Sequence, residues 1–303
     1  RSNIPLALGM TRWPCQSVYL SHFPRTGPAG PEAIDPMPTI LALSSTVAVG
    51  HVGLAAITPT ASLAGSPVWG LPTIILSNHP GFPVFAGART GPDDLRRMID
   101  AIAEGGWLGK ATALLTGYLP SADHVSVAAE LIELMRKVSP RTEIICDPIL
   151  GDDPKDIYID PAAAVAIRDR LVPLADCILP NRFELEWLSG ISVEDPQTAA
   201  RAAEALGRPQ VIAKSVPDGP DHLANVEVLS DRATFTRHRH LLGVPNGTGD
   251  VFSALIAAGW DLPHTAAALD RLADLSTGLD HLRIVETAGQ WRRAAPLKLE
   301  LVA

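Results

Sequence analysis

Val244-Pro245-Asn246-Gly247-Thr248-Gly249-Asp250 runs directly into Val251-Phe252-Ser253-Ala254-Leu255-Ile256-Ala257-Ala258-Gly259, where Val251, Leu255 and Ala258 fall at helical spacing. Glycines let backbone N–H groups turn toward a ligand, and the first turn of a helix leaves its leading donors unpaired at the positive end of the dipole. The stretch therefore predicts an anion cradle, with phosphate as its natural occupant. A carboxylate in the floor of such a cradle repels anions, which is useful only if Asp250 takes a proton from an attacking hydroxyl while the amides hold a transferring phosphoryl group. Read alone, the same residues also serve as an ordinary turn in which Thr248 or Asp250 caps a helix.

Working outward, the chain has 303 residues, 47% hydrophobic and 19% charged, enough to bury a full α/β core. Its net charge of -8 argues against a nucleic-acid or acidic-membrane surface, which needs clustered Lys and Arg. Cys15, Cys146 and Cys177 are widely spaced, which fits a reducing compartment and excludes a thiolate zinc site. No run of about 20 apolar residues reads as a membrane span. Residues 1–38 are broken by prolines and contain no acidic residue before Glu32, so they predict a disordered N-terminal extension. Arg12 and Arg25 give that leader only a faint likeness to a transit peptide.

From Thr39 to Ala303 the pattern predicts one domain. Apolar strand-like runs at Ile40–Leu43, Thr73–Leu76, Ala113–Thr116, Glu143–Cys146, Cys177–Leu179 and Val211–Ala213 alternate with helical stretches at 92–104, 124–138, 162–171, 183–188 and 196–206. That alternation is the signature of a mostly parallel sheet covered on both faces. Val226–Leu229 and Ala233–His238, split by Ser230-Asp231-Arg232, read as an antiparallel edge hairpin, and helices are expected at 251–259 and 264–280. Other phosphate motifs fail. In Gly105-Gly106-Trp107-Leu108-Gly109-Lys110-Ala111 the first glycine is displaced and Ala111 stands where a P-loop needs Ser or Thr, and Gly247-x-Gly249 lacks the third glycine of a dinucleotide fingerprint.

Four further segments carry a resemblance. Ser44-Ser45-Thr46-Val47-Ala48-Val49-Gly50-His51-Val52-Gly53, Leu71-Pro72-Thr73-Ile74-Ile75-Leu76-Ser77-Asn78-His79, Cys146-Asp147-Pro148-Ile149-Leu150-Gly151-Asp152 and Pro180-Asn181-Arg182-Phe183-Glu184-Leu185-Glu186 occur in this order ahead of the glycine turn. With that turn, they resemble the ribokinase-like superfamily and, within it, the pyridoxal kinases. The resemblance implies a three-layer αβα sandwich and ATP-dependent phosphorylation of the 5′-hydroxymethyl of pyridoxal, with pyridoxine and pyridoxamine as further acceptors. It implies Asp250 as base, with the amides of Gly247, Thr248 and Gly249 stabilising the transferring group. Ser45, Val47 and Thr73, with Asp250, are expected around the acceptor ring. Asp147, Asp152, Tyr158, Asn181, Glu184, Lys214 and Ser215, with Gly247 and Thr248, are expected at ATP. Asp147 and Glu184 are expected to hold magnesium or its waters. A monovalent cation such as potassium, a homodimer and a cytoplasmic location are implied as well.

Each residue also has a plainer reading. Ser45 and Thr73 suit strand ends, Asn181 and Glu184 suit a helix start, Tyr158 suits a core, and His51 and His79 compete for the role of base. Thr46 and Val49 stand where many relatives carry histidine and tyrosine; Leu179 and Lys214 stand at frequent threonines. Those departures leave open a hydroxymethylpyrimidine kinase of the same superfamily, and a non-catalytic vitamer-binding relative.

Overall fold

The computed structural model describes residues 38–153 and 156–302. The expected extension therefore lies, except for Pro38, outside the described residues. In chain order come β1 (Ile40–Val47), α1 (Leu54–Leu63), β2 (Val68–Leu76), β3 (Gly87–Arg89), α2 (Pro92–Glu104), β4 (Ala113–Thr116), α3 (Ala122–Val138), β5 (Glu143–Cys146), and the short pair β6 (Gly151–Asp152) and β7 (Asp156–Ile157). There follow α4 (Pro161–Ala166), β8 (Cys177–Ile178), α5 (Arg182–Ser189), α6 (Pro196–Ala205), β9 (Gln210–Pro217), β10 (His222–Leu229), β11 (Arg232–Arg239), α7 (Thr248–Ala257), α8 (Leu262–Ser276), α9 (Ala288–Trp291) and β12 (Leu299–Leu301).

Among the described residues ten strands form one sheet in the order β12-β11-β10-β9-β8-β5-β4-β1-β2-β3. The strands from β9 to β2 pair in parallel; β3 at one end and β10, β11 and β12 at the other are antiparallel. Side chains alternate faces along a strand, so a strand buried on both sides must be apolar at every position. Leu41, Leu43, Leu114, Ile144, Cys146 and Ile178 pack in a layer with Leu95 and Ile99 of α2, Val127 and Leu131 of α3 and Ala163 of α4. Their neighbours Ile40, Ala42, Ala113, Leu115, Ile145 and Cys177 pack on the opposite face with Ile57 of α1, Phe252 of α7 and Leu262 of α8. This is the expected three-layer αβα arrangement with its edge hairpin.

Two differences from the sequence pattern have clear causes. α1 carries Pro59 and shows almost no amphipathic stripe, because its small residues and hydroxyls are shared between the face on the sheet and α7, where Thr60 is buried, and the exposed face of Thr58 and Ser62. α8 begins two residues before the expected start, where Asp261 accepts the His264 N–H at 2.9 Å, and it stops at Ser276 ahead of Thr277 and Gly278.

The chain lays down β1 and β2, then returns to the other side of β1 for β4, β5, β8 and β9. Strand order thus reverses between β1 and β4, and ligands of open α/β sheets bind beyond the carboxyl ends of strands at such a point. The ends are tied there by the Gly117 N–H donating to Leu43 O at 2.8 Å and the Tyr118 N–H to Ser44 Oγ at 3.2 Å.

Candidate active site

At Gly247 the backbone has φ +107, and a Cβ there would lie 1.9 Å from His51 O, so only glycine lets the turn pass under the β1–α1 loop. No backbone acceptor among the described residues takes the N–H of Gly247, Thr248 or Gly249, and these donors open α7. Asp250, in the same turn, lies beside the Gly53 amide. Enclosure raises its pKa from the ordinary 3.8 to about 6; the Gly53 N–H opposes the rise, the Asp147 charge adds to it and Lys214 opposes it. A carboxylate so placed is ionised at neutral pH but is a stronger base than one in water.

Asp147 follows β5 and is 4% exposed. Its Oδ1 accepts from Lys214 Nζ at 3.0 Å and its Oδ2 from Ser253 Oγ at 2.6 Å. Lys214 reaches it because β9 carries a bulge. Ala213 pairs with Val226 and Val216 with Ala224, so Lys214 and Ser215 together face Asn225. Ser215 takes φ +57 to make the bend. A Cβ at Gly249 would lie 3.7 Å from the Lys214 Nζ, which places the ammonium between the carboxylate and the anion turn.

Glu184, 2% exposed at the third position of α5, accepts from the Leu150 N–H and the Asn181 N–H, each at 2.8 Å. Asn181 caps the same helix through the Glu184 N–H and donates its Nδ2 to Gly151 O at 2.8 Å. The capping box therefore also holds the segment 147–152, on which Asp147 and Asp152 stand. Burial, then the Asp147 charge, push the Glu184 carboxyl above its ordinary range. Beyond it the β6–β7 hairpin carries Asp152 and leads to Tyr158, whose phenol is half-exposed and held above its ordinary pKa by its surroundings and by the charges of Glu184, Asp147, Asp152 and Asp250. Tyr158 thus faces the carboxylates rather than the core.

The residues expected around the acceptor ring are distributed less evenly. Ser45 lies beside Gly53, with Oγ 2.5 Å from where a Gly53 Cβ would stand, and Val47 is buried at the end of β1. Thr73 is fully buried and its hydroxyl donates to Tyr118 O at 2.7 Å, so it holds the β2 and β4 ends together instead of presenting a free group. His79 accepts the Gly81 N–H at 3.0 Å within its own loop. Ser253 and Gly53 were not singled out by the sequence pattern. Ser253 carries a readable signal, being a polar residue one helical turn beyond Asp250 in an apolar helix; Gly53 acts only through its backbone, which leaves no such trace. Cys146 and Cys177 are buried, and burial lifts the Cys146 thiol to about 12, which fits packing and not chemistry.

The family model described as phosphomethylpyrimidine kinase matches residues 86–267. A pyridoxal kinase of Leifsonia xyli is 33% identical over 264 residues, which cover 82% of this chain and 93% of that protein. One of Granulibacter bethesdensis is 32% identical over 79% of this chain and 88% of its own length. Among solved structures, the pyridoxal kinase of Leishmania donovani in complex with ADP and pyridoxamine superposes with a TM-score of 0.82 at 27% identity, covering 88% of this chain and 99% of its own.

Proposed function

The chain belongs to the pyridoxal kinase family of the ribokinase-like superfamily, and we propose that it moves the γ-phosphoryl group of ATP to the 5′-hydroxymethyl oxygen of pyridoxal, and of pyridoxine and pyridoxamine. Asp250 takes the hydroxyl proton as that oxygen attacks phosphorus, and the bond to the ADP oxygen breaks. The amides of Gly247, Thr248 and Gly249 meet the charge that grows on the phosphoryl oxygens. The observation that carries this reading is the juxtaposition of a proton acceptor, unpaired amides and the buried Lys214 ammonium at one helix start.

Asp147, Asp152, Tyr158, Asn181, Glu184, Lys214 and Ser215 form the nucleotide side, and Ser45, Val47 and Thr73 the acceptor side. Two buried carboxylates, Glu184 raised by burial and by the neighbouring Asp147 charge, are a donor set of hard oxygens. Each of their oxygens takes one hydrogen bond and keeps a further lone pair, so Asp147 and Glu184 fit magnesium or its waters. Magnesium, when bound, offsets phosphate charge. The residues fit a monovalent cation less well: Lys214 already supplies a single positive charge beside the turn and Leu179 offers no side-chain oxygen, whereas two carboxylates and the nucleotide phosphates would meet the charge of magnesium. Among the described residues no helix is long and apolar enough to cross a membrane. The scattered spacing of the cysteines, with Cys146 and Cys177 buried as free thiols, supports a cytoplasmic enzyme. Val49, Ile75, Val84 and Phe85 are exposed along the β1–β2–β3 edge, Val84 by 82%, and support a homodimer closed over that edge.

Pyridoxal, pyridoxine, pyridoxamine and hydroxymethylpyrimidine offered in turn in an ADP-release assay test the reading. ADP formed with pyridoxal at the highest kcat/KM is expected. Preference for hydroxymethylpyrimidine would transfer the chain to the rival kinase, and vitamer binding without ADP release would make it a binding protein.

A further inference from the structure

His281, in the loop after α8, stands outside every segment that carries the family resemblance, yet its ring touches two of the acceptor loops. It lies against the backbone of Gly50, where φ is +102 and a Cβ would stand 2.8 Å from His281 Nδ1. The same ring meets Phe82, with centroids 5.6 Å apart and planes inclined by 55°. Phe82 belongs to the loop closed by His79, whose Nδ1 accepts the Gly81 N–H and lies 3.4 Å from Asn246 Nδ2. A cavity of about 10 Å³ bounded by Gly50, His51, His79, Phe82, Asn246 and His281 is no larger than one water, so the loops meet with little slack.

These contacts connect to the base. The Gly53 amide, three residues beyond Gly50, lies beside Asp250, and His51 O fixes how closely the Gly247 turn approaches. We infer that His281 is a positioning residue for the acceptor: its ring sets the spacing between the segment 48–53 and the segment 78–86, and through Gly53 the place of the acceptor hydroxyl relative to Asp250. The role needs a flat ring that fits against a bare backbone. It needs no charge, and it leaves the nucleotide side untouched. The inference rests on the kinase reading only where it names the acceptor.

His281→Ala is expected to raise KM for pyridoxal about three- to tenfold, the size of one lost ring contact, with KM for ATP unchanged. His281→Phe, which keeps a flat ring, should restore the parent value. In the ligand-free full chain, hydrogen exchange should quicken at amides of 48–53 and 78–86 in His281→Ala, not in His281→Phe, while β5 and α7 stay protected. Unchanged exchange in those segments, a parallel rise in KM for ATP, or failure of His281→Phe to restore would each overturn the inference. Faster exchange in His281→Ala alone, with no acceptor phosphorylated by the parent, would uphold the positioning role and overturn the kinase reading instead.

Discussion

The two halves of the site are built by different physics. On the proposed nucleotide side charged groups are buried and cross-bonded: Asp147 to Lys214 and Ser253, Glu184 to the Leu150 and Asn181 amides, Asn181 to Gly151. On the proposed acceptor side the loops 48–53 and 78–86 are shaped by glycines and ring contacts, with exposed Val49, Val84 and Phe85. A buried charge tolerates few partners, because an unpaired one is costly. An exposed loop tolerates many sequences. On the proposed reading, substitutions are therefore tolerated less in the first half than in the second.

The sharpest way to break the division is at the point where the halves meet. Asp250→Asn keeps an oxygen beside the Gly53 N–H but removes the base, so turnover should fall about 100- to 10,000-fold, while ADP binding measured by calorimetry stays within about threefold, since uniform nucleotide contacts are kept. Gly247→Ala comes next. The added methyl would strike His51 O, and a displaced turn should cost about 100-fold in turnover. A Gly247→Ala enzyme with parental kcat would show that the turn does not hold the transferring group.

Lys214→Met tests the nucleotide half as structure. It leaves Asp147 buried without its cation, and breaking a buried pair this way typically costs about 3–5 kcal/mol of stability. Adding Asp147→Asn to the same chain should recover much of the lost melting temperature, because the uncompensated charge is then gone. If the double variant melts lower than Lys214→Met, the pair is not what holds that half together.

The same division explains what was legible in the sequence. The strands of the core announced themselves because each carries an unbroken apolar run, and the segments around Asp147, Asn181 and Asp250 because strand-end and helix-start chemistry is local. α1 was not legible, since buried Thr60 and exposed Thr58 and Ser62 leave its two faces alike in polarity, and Pro59 speaks against a helix. The bulge that turns Lys214 inward rests on Ser215 at φ +57, an unusual conformation for serine that propensity does not predict. The His281 contact joins residues more than 190 positions apart through a bare glycine backbone. Nothing local marks such a contact.

A smaller effect comes from pH. Asp250 has its pKa raised above the ordinary value, so kcat/KM should be lost as pH falls through about 6, not near 4. The sign for stability is the reverse. A folded state that binds the proton more tightly than the unfolded chain gains stability as pH falls from about 6 toward 4, and Asp250→Asn should abolish that part of the difference. Activity and this stability contribution moving in the same direction would mean that Asp250 is not the enclosed group described.

The smallest effect concerns potassium. A cation beside the turn would have to sit near an ammonium already 3.0 Å from Asp147, and like charges at close range repel by about 4 kcal/mol at 4 Å in a partly screened site. Leu179, ahead of Pro180, offers no side-chain oxygen to offset that. Replacing potassium chloride by tetramethylammonium chloride at equal ionic strength should therefore leave kcat and ADP affinity within about twofold, a difference worth about 0.4 kcal/mol. Lys214→Thr, which trades the fixed charge for a hydroxyl, should acquire potassium activation in both readouts. A parent enzyme that loses most of its turnover and its ADP affinity without potassium would mean that the nucleotide half holds a cation that Lys214 does not replace.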